Sequence, residues 1–193
     1  MLEQYNLNKN NFERMNKMNF LDLAKNRYSV RKYEDKVVEK EKLDKILEAA
    51  SIAPTAANFQ PQKLIVVQKK ENLEKLKTGT NAYGAPLAII VCSDHSQSWK
   101  RANDGKDSAD VDAGIVTDHM MLQATELGLG SVCIGIFDAK IIKECFNISE
   151  NIEPINILAI GYSAVEAGAK AASPERHIET RKALNETVFY ETL

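Results

Sequence analysis

The chain has little of what marks several large functional classes. Only three of its 193 residues are cysteine, Cys92, Cys133 and Cys145, and no two form a CxxC pair. An odd, scattered set argues against a disulfide framework or a zinc site, and each lies in an apolar run, so buried reduced thiols in a cytoplasmic protein are expected. The three histidines, His95, His119 and His177, form no HExxH or other ligand pattern. His119 falls in an apolar helical stretch and is expected to be packed. No run of about 18 apolar residues is present, so no membrane span is expected. Lys+Arg total 25 against 27 Asp+Glu, a formal charge of −2. Such a balance gives no overall attraction to nucleic acid or to an anionic membrane, so any anion site must be local.

Nucleotide and nucleophile signatures are missing too. There is no GxxxxGK[ST] loop and no GxSxG elbow. The stretch GLGSVCIG places its glycines at 128, 130 and 135, which is not GxGxxG, and it leads from a helix into a strand, the reverse of the Rossmann order. Asp104, Asp107, Asp110 and Asp112 crowd the start of a long helix, where acidic residues complement the helix dipole. Their spacing does not match an EF-hand loop, and no metal site is expected.

What is present reads as one domain over residues 19–193, preceded by a polar, Asn-rich extension over 1–18 without an apolar signal core. Asn19 can cap a short helix bearing Phe20, Leu23 and Ala24. RYSVRKY (27–33) then suits extended backbone. Leu43, Ile46, Leu47 and Ala50 form the stripe of a helix that Pro54 ends. PTAANFQPQ (54–62) is a turn-rich loop. LIVVQ (64–68), PLAIIVC (86–92), SVCIGIF (131–137) and INILAIGY (155–162) read as buried strands. Helices are predicted at 71–79, with Gly79 as C-cap, at 108–130, and at 138–146, with Asp138 as N-cap. Continuous apolar strands imply a sheet covered on both faces. The final TVFY (187–190) is strand-like, and must pair with something remote or with another chain.

Three polar segments remain: RYSVR, the PTAANFQP loop and the basic stretch HIETRK (177–182). Arginines at 27 and 31 offer fixed N–H donors suited to phosphate, with Ser29 between them. Asn58 and Gln60 carry amides that pair with a heterocycle. In order along the chain, RYSVRKY, SIAPTAANFQPQKLIVV, DAGIVTDHMMLQATELGLGSVCIG and ILAIGY resemble the nitroreductase superfamily of flavin enzymes. The resemblance spans about residues 19–193. It implies an α+β sandwich, with a central mixed sheet flanked by helices, in an intertwined homodimer that exchanges a C-terminal strand. FMN is implied at the subunit interface, with NADH or NADPH as electron donor and a nitroaromatic, quinone or similar small molecule as acceptor. An alternative is a flavin-binding carrier or sensor without turnover.

By the same resemblance, Arg27 and Arg31, with Tyr28 and Ser29 between them, hold the phosphate and ribityl side. Arg181, or else Lys182 or Arg176, completes the phosphate pocket. Pro54, Thr55, Ala56, Asn58 and Gln60 match the loop that the partner subunit lays beside the flavin. Cys133, Ile134 and Gly135 match the segment that passes the reactive N5, with Gly135 permitting close approach. No side-chain nucleophile is required, because the chemistry belongs to the cofactor. Many relatives have Trp after the Gln-Pro, whereas Gln62 follows Pro61 here. The loop holding Trp99 is expected to form part of the substrate wall.

Overall fold

The computed structural model describes residues 19–164 and 173–193; the extension expected over 1–18 lies outside them. Helix α1 (Phe20–Asn26) begins at Asn19, whose side chain accepts from the Asp22 N–H. Helix α2 (Lys40–Ile52) turns Leu43, Ile46, Ala49 and Ala50 inward and stops two residues before Pro54, where the pre-proline residue is forced out of helical backbone. Strand β1 (Gln62–Val67) leads to helix α3 (Lys70–Lys77) and strand β2 (Leu87–Asp94). The long helix α4 (Ala109–Glu126) is followed by strand β3 (Gly130–Ile134) and helix α5 (Ala139–Phe146). Strand β4 (Ile152–Gly161) and the short helix α6 (Pro174–Glu179) complete the order, and single 3₁₀ turns lie at Ala56–Asn58 and Leu184–Glu186.

The sheet order is β1-β2-β4-β3 and every neighbouring pair is antiparallel. The expected mixed sheet is therefore corrected. Among the described residues the parallel element is reduced to one isolated bridge, Ser29 to Ser131, at the free edge of β3. β2 is buried along its whole length, and its side chains alternate between two cores. Leu87, Ile89 and Val91 pack with Ile46 and Met120 of α2 and α4. Ala88, Ile90 and Cys92 pack with Leu76 and Ile142 of α3 and α5. Helices thus cover both faces, as the unbroken apolar runs require. Pro154 sits in β4 beside a register shift between Val91 and Cys92. There β4 outruns β3, whose pairing begins at Ile157, so the missing proline N–H breaks no second ladder.

Four local expectations are revised. Gly79 is not a left-handed cap: α3 ends through Thr78 in right-handed backbone. A Cβ on Gly79 would lie 2.8 Å from Ile142 Cδ1, so the glycine admits α5 against α3. The long helix stops at Glu126, and Gly128 supplies the left-handed turn at φ +75°. Of the cysteines only Cys92 is buried; Cys145 is half-buried and Cys133 is exposed. TVFY forms no strand here. After the turn at Leu184–Glu186 the segment is irregular, and Phe189, Tyr190 and Leu193 are exposed. His119 is packed as expected, its Nδ1–H donating to the Ile115 carbonyl at 2.9 Å.

One glycine positions the segment that matters most. Val30 is buried and its N–H donates to the Ser131 carbonyl at 2.9 Å. A Cβ on Gly130 would fall 2.5 Å from Val30 Cγ2 and 2.9 Å from its Cβ. Gly130→Ala is therefore expected to push the 27–31 segment off the edge of β3 and destabilise the fold by about 1–3 kcal/mol, as overpacking does. Urea unfolding at fixed slope checks this, and an unchanged midpoint would contradict the close contact.

Candidate functional site

Extended backbone alternates its side chains, and residues 27–30 show the effect. Val30 turns into the core, and Tyr28 shares a 3.3 Å hydrogen bond with Ser163 Oγ. Arg27 and Ser29 turn the other way, into a cavity of about 340 Å³. Its apolar wall is Phe20 and Ala24 of α1 with Met121 and Leu122 of α4. Its polar wall adds Asp118, Cys133, His177 and Arg181. The two ends of the described chain therefore meet here. Arg27 Nη2 donates toward His177, 3.2 Å from Nε2 and 3.4 Å from Nδ1, and Arg181 Nη2 lies 3.1 Å from the same Nε2.

The electrostatics are those of a cation excess. Burial, then the Arg181 charge, lower the Arg27 pKa, while Asp118 pulls it up. Burial, then Arg27 and Arg181, lower the pKa of His177. Among the described residues neither guanidinium has a carboxylate within ion-pair distance. A cavity with two crowded guanidiniums and a serine hydroxyl suits a phosphate group, whose oxygens accept from all of them.

Arg31 does not line this cavity. It is exposed, its guanidinium 6.0 Å from the Tyr83 ring centroid and its Nη1 donating to the Ser29 carbonyl at 3.4 Å. At the rim, Cys133 faces out, Ile134 is buried toward α3 and α5, and Gly135 would place a Cβ in open space. Of these three, the Cys133 side chain and the bare backbone at Gly135 are thus open to a ligand.

The second group of predicted residues lies elsewhere. Pro54, Thr55 and Ala56 line a separate cavity of about 430 Å³ with Trp99, Val111 and Ile115, and Arg101 and Lys106 at its margin. The loop is strained: Ala57, Asn58 and Gln60 have φ of 50°, 59° and 52°, a region non-glycine residues occupy only when held there. Asp112 does the holding. It is buried in α4, its Oδ1 accepting from the Ala56 N–H at 2.9 Å and its Oδ2 from Ser108 Oγ at 2.8 Å. Inside the loop, the Gln60 N–H donates to Thr55 Oγ1 at 3.1 Å. Asn58 and Gln60 remain exposed, with the Gln60 amide donating to the Asn58 carbonyl.

The sequence reading missed Asp112, Asp118 and His177. Asp112 had a signal, since it sits at helical spacing from Ala109 and Val116 on the buried stripe. Counting it with the dipole-complementing acids hid that. His177 opens the basic stretch HIETRK, but its pairing with Arg27, 150 residues away, left no local mark.

The loop carrying Trp99 is fastened by His95, whose Nδ1 and Nε2 lie 3.0 Å from Asp107 Oδ2 and 2.7 Å from Glu153 Oε2. The Asp107 hydrogen bond leads, with Glu153 adding to it, in raising the His95 pKa above 6.5. Burial pushes the Asp107 carboxyl up, but hydrogen bonds from Ser98, His95 and the Ala109 N–H outweigh it and hold it at about 2. A raised histidine pKa stabilises the folded state fully below pH 6.5, and that contribution is lost as pH rises through the folded value. His95→Gln is therefore expected to lower the urea midpoint at pH 6 and to match the parent at pH 9. A gap independent of pH would refute the charged bridge. Among the described residues no group of His, Cys, Asp and Glu is arranged to hold a metal ion, and no helix is long and apolar enough to cross a membrane.

Comparison with known proteins adds independent findings. A profile of the Nitroreductase family matches residues 24–79 and 73–162. The crystal structure of a nitroreductase family protein from Clostridium difficile 630 is similar at a TM-score of 0.85, with 56% identity, over 91% of this chain and 100% of that one. An FMN-dependent nitroreductase from C. difficile R20291 is similar at 0.72, with 33% identity, over 90% and 100% of the two chains. The FMN reductase [NAD(P)H] of Bacillus subtilis is 29% identical over 169 residues, 78% of this chain and 68% of that protein. A profile running from α1 to the end of β4, together with a solved fold matched over nine-tenths of its length, makes this chain a member of the nitroreductase family.

Proposed function

We propose that this chain is an FMN-dependent oxidoreductase that draws electrons from NADH or NADPH and delivers them to a nitroaromatic, a quinone or a similar acceptor. The observation that carries the reading is the convergence of Arg27, Ser29 and Arg181 on one cavity. Those donors fit a phosphate monoester, and the open backbone at Gly135 leaves room for a flat ring at the edge of β3. Two similar proteins bear FMN in their names, one an FMN-dependent nitroreductase and the other an FMN reductase using NAD(P)H. When bound, the flavin supplies hydride acceptance at N5 and onward electron transfer. The chain's own residues bind and orient it. Arg27 and Arg181 offset the phosphate charge, Ser29 donates to it, and Phe20 and Met121 offer an apolar wall beside it.

The working form is a homodimer in this reading. The Pro54–Gln60 loop faces a cavity of its own rather than the arginine cavity, so a partner's loop is needed to complete one flavin site. Exposed Phe20, Leu21, Val37, Ile52, Phe59 and Val111 support this by offering more apolar surface than a lone subunit needs.

The test is spectroscopic. Purified protein, loaded with FMN if necessary, is expected to be yellow, to bleach with NADH or NADPH without oxygen, and to recover colour on adding menadione or a nitroaromatic. Protein that takes up no flavin would end the proposal. Bleaching too slow to respond to any acceptor would favour a carrier instead.

A further inference from the structure

We propose that His177 is a third, proton-coupled member of the phosphate-binding group, neutral between Arg27 and Arg181 in the flavin-free protein and protonated in the FMN complex. The inference rests on the flavin reading above. Its basis is geometric. Two guanidiniums, which can only donate, converge on one imidazole at 3.1 and 3.2 Å from Nε2. A cationic imidazole has no lone pair, so this arrangement requires the neutral ring with Nε2 as acceptor. Nδ1 then carries the hydrogen, yet the same Arg27 nitrogen sits 3.4 Å from it. One lone pair serves two cations and one N–H faces a donor.

A phosphate dianion in the cavity reverses each of these terms. Its oxygens accept from both guanidiniums and free Nε2. Two negative charges in the same cavity oppose the repulsion that keeps the ring neutral. The charged groups around the imidazole are Arg27 and Arg181 in contact, with Asp118 and the Cys133 thiol across the cavity. Its own helix adds Glu175, Arg176 and Glu179. Burial and the two arginines lower the free pKa below 6.5. Binding therefore takes one proton from solvent onto the imidazole in the window between the free and bound values. There FMN affinity falls by up to about tenfold per unit rise in pH.

Calorimetric titration with FMN at pH 7.5, in two buffers of different ionisation enthalpy, counts the protons. At that pH the phosphate itself, with a second pKa of about 6, contributes almost nothing. The parent protein is expected to take up a measurable fraction of a proton per FMN. His177→Gln should still bind FMN but take up none, and riboflavin, which lacks the phosphate, should bind either protein without uptake. Equal proton counts for FMN in parent and variant would overturn the inference while leaving the flavin reading intact. Failure of the parent to bind FMN would sink both. Should the variant not fold, nitrogen NMR of the parent's His177 ring decides the question. A change from neutral to protonated on adding FMN is expected, and a ring neutral in both states refutes the proposal.

Discussion

Arg27→Ala is expected to weaken FMN binding by about 1.5–3 kcal/mol, or roughly 10- to 150-fold in Kd, the range for hydrogen bonds to a charged group. The substitution removes one of two guanidiniums that face the cavity. The flavin-free protein should respond differently. Burial and the Arg181 charge both work against the Arg27 cation, so its removal relieves repulsion and leaves stability unchanged or slightly higher. Quenching of flavin fluorescence measures the first effect and urea unfolding the second. A binding loss paired with an equal stability loss would mark Arg27 as a structural residue, and unchanged affinity would exclude its phosphate role.

Asp112→Ala is expected to have the largest effect on stability, about 2–4 kcal/mol, because it deletes a buried carboxylate accepting from both the Ala56 N–H and Ser108 Oγ. For a chain of this size that corresponds to a fall in Tm of about 5–15 °C. The loss concentrates in the Pro54–Gln60 loop, where three residues hold positive φ and relax once the tether is gone. Hydrogen exchange should therefore rise in residues 55–60 before it rises in β2. Asp112→Asn keeps one carbonyl acceptor and should recover about half of the stability. A full-strength fold in Asp112→Ala would show that the loop is held by its own internal hydrogen bonds.

Much of this architecture was legible in the order of residues. Asn19, Pro54 and Asp138 ended or began helices because their backbone chemistry is local. The apolar runs located every strand, though Pro154 hid the first three residues of β4. Strand direction was not legible, since a buried strand reads the same in either orientation, and the mixed sheet proved antiparallel. TVFY forms no strand within its own chain, because β propensity describes a half-buried pleated surface and the segment meets none there; its expected pairing with a second chain is a separate matter. In the site, Arg27, Ser29 and Arg181 line one cavity. Arg31 turns toward Tyr83 instead, because alternation alone does not hold an exposed side chain. The pairing of His177 with Arg27, 150 residues away, is a contact that no local pattern reports.

The two cavities lie along one stretch of α4 surface, one beside Met121 and Leu122 in its C-terminal half and the other beside Val111 and Ile115 in its N-terminal half. That division has an evolutionary side. Drift at Trp99, Arg101 or Val111 can remodel what enters one chamber without touching the guanidiniums that anchor the other. A lineage built this way can vary the lining of the Trp99 chamber while inheriting that of the arginine chamber intact.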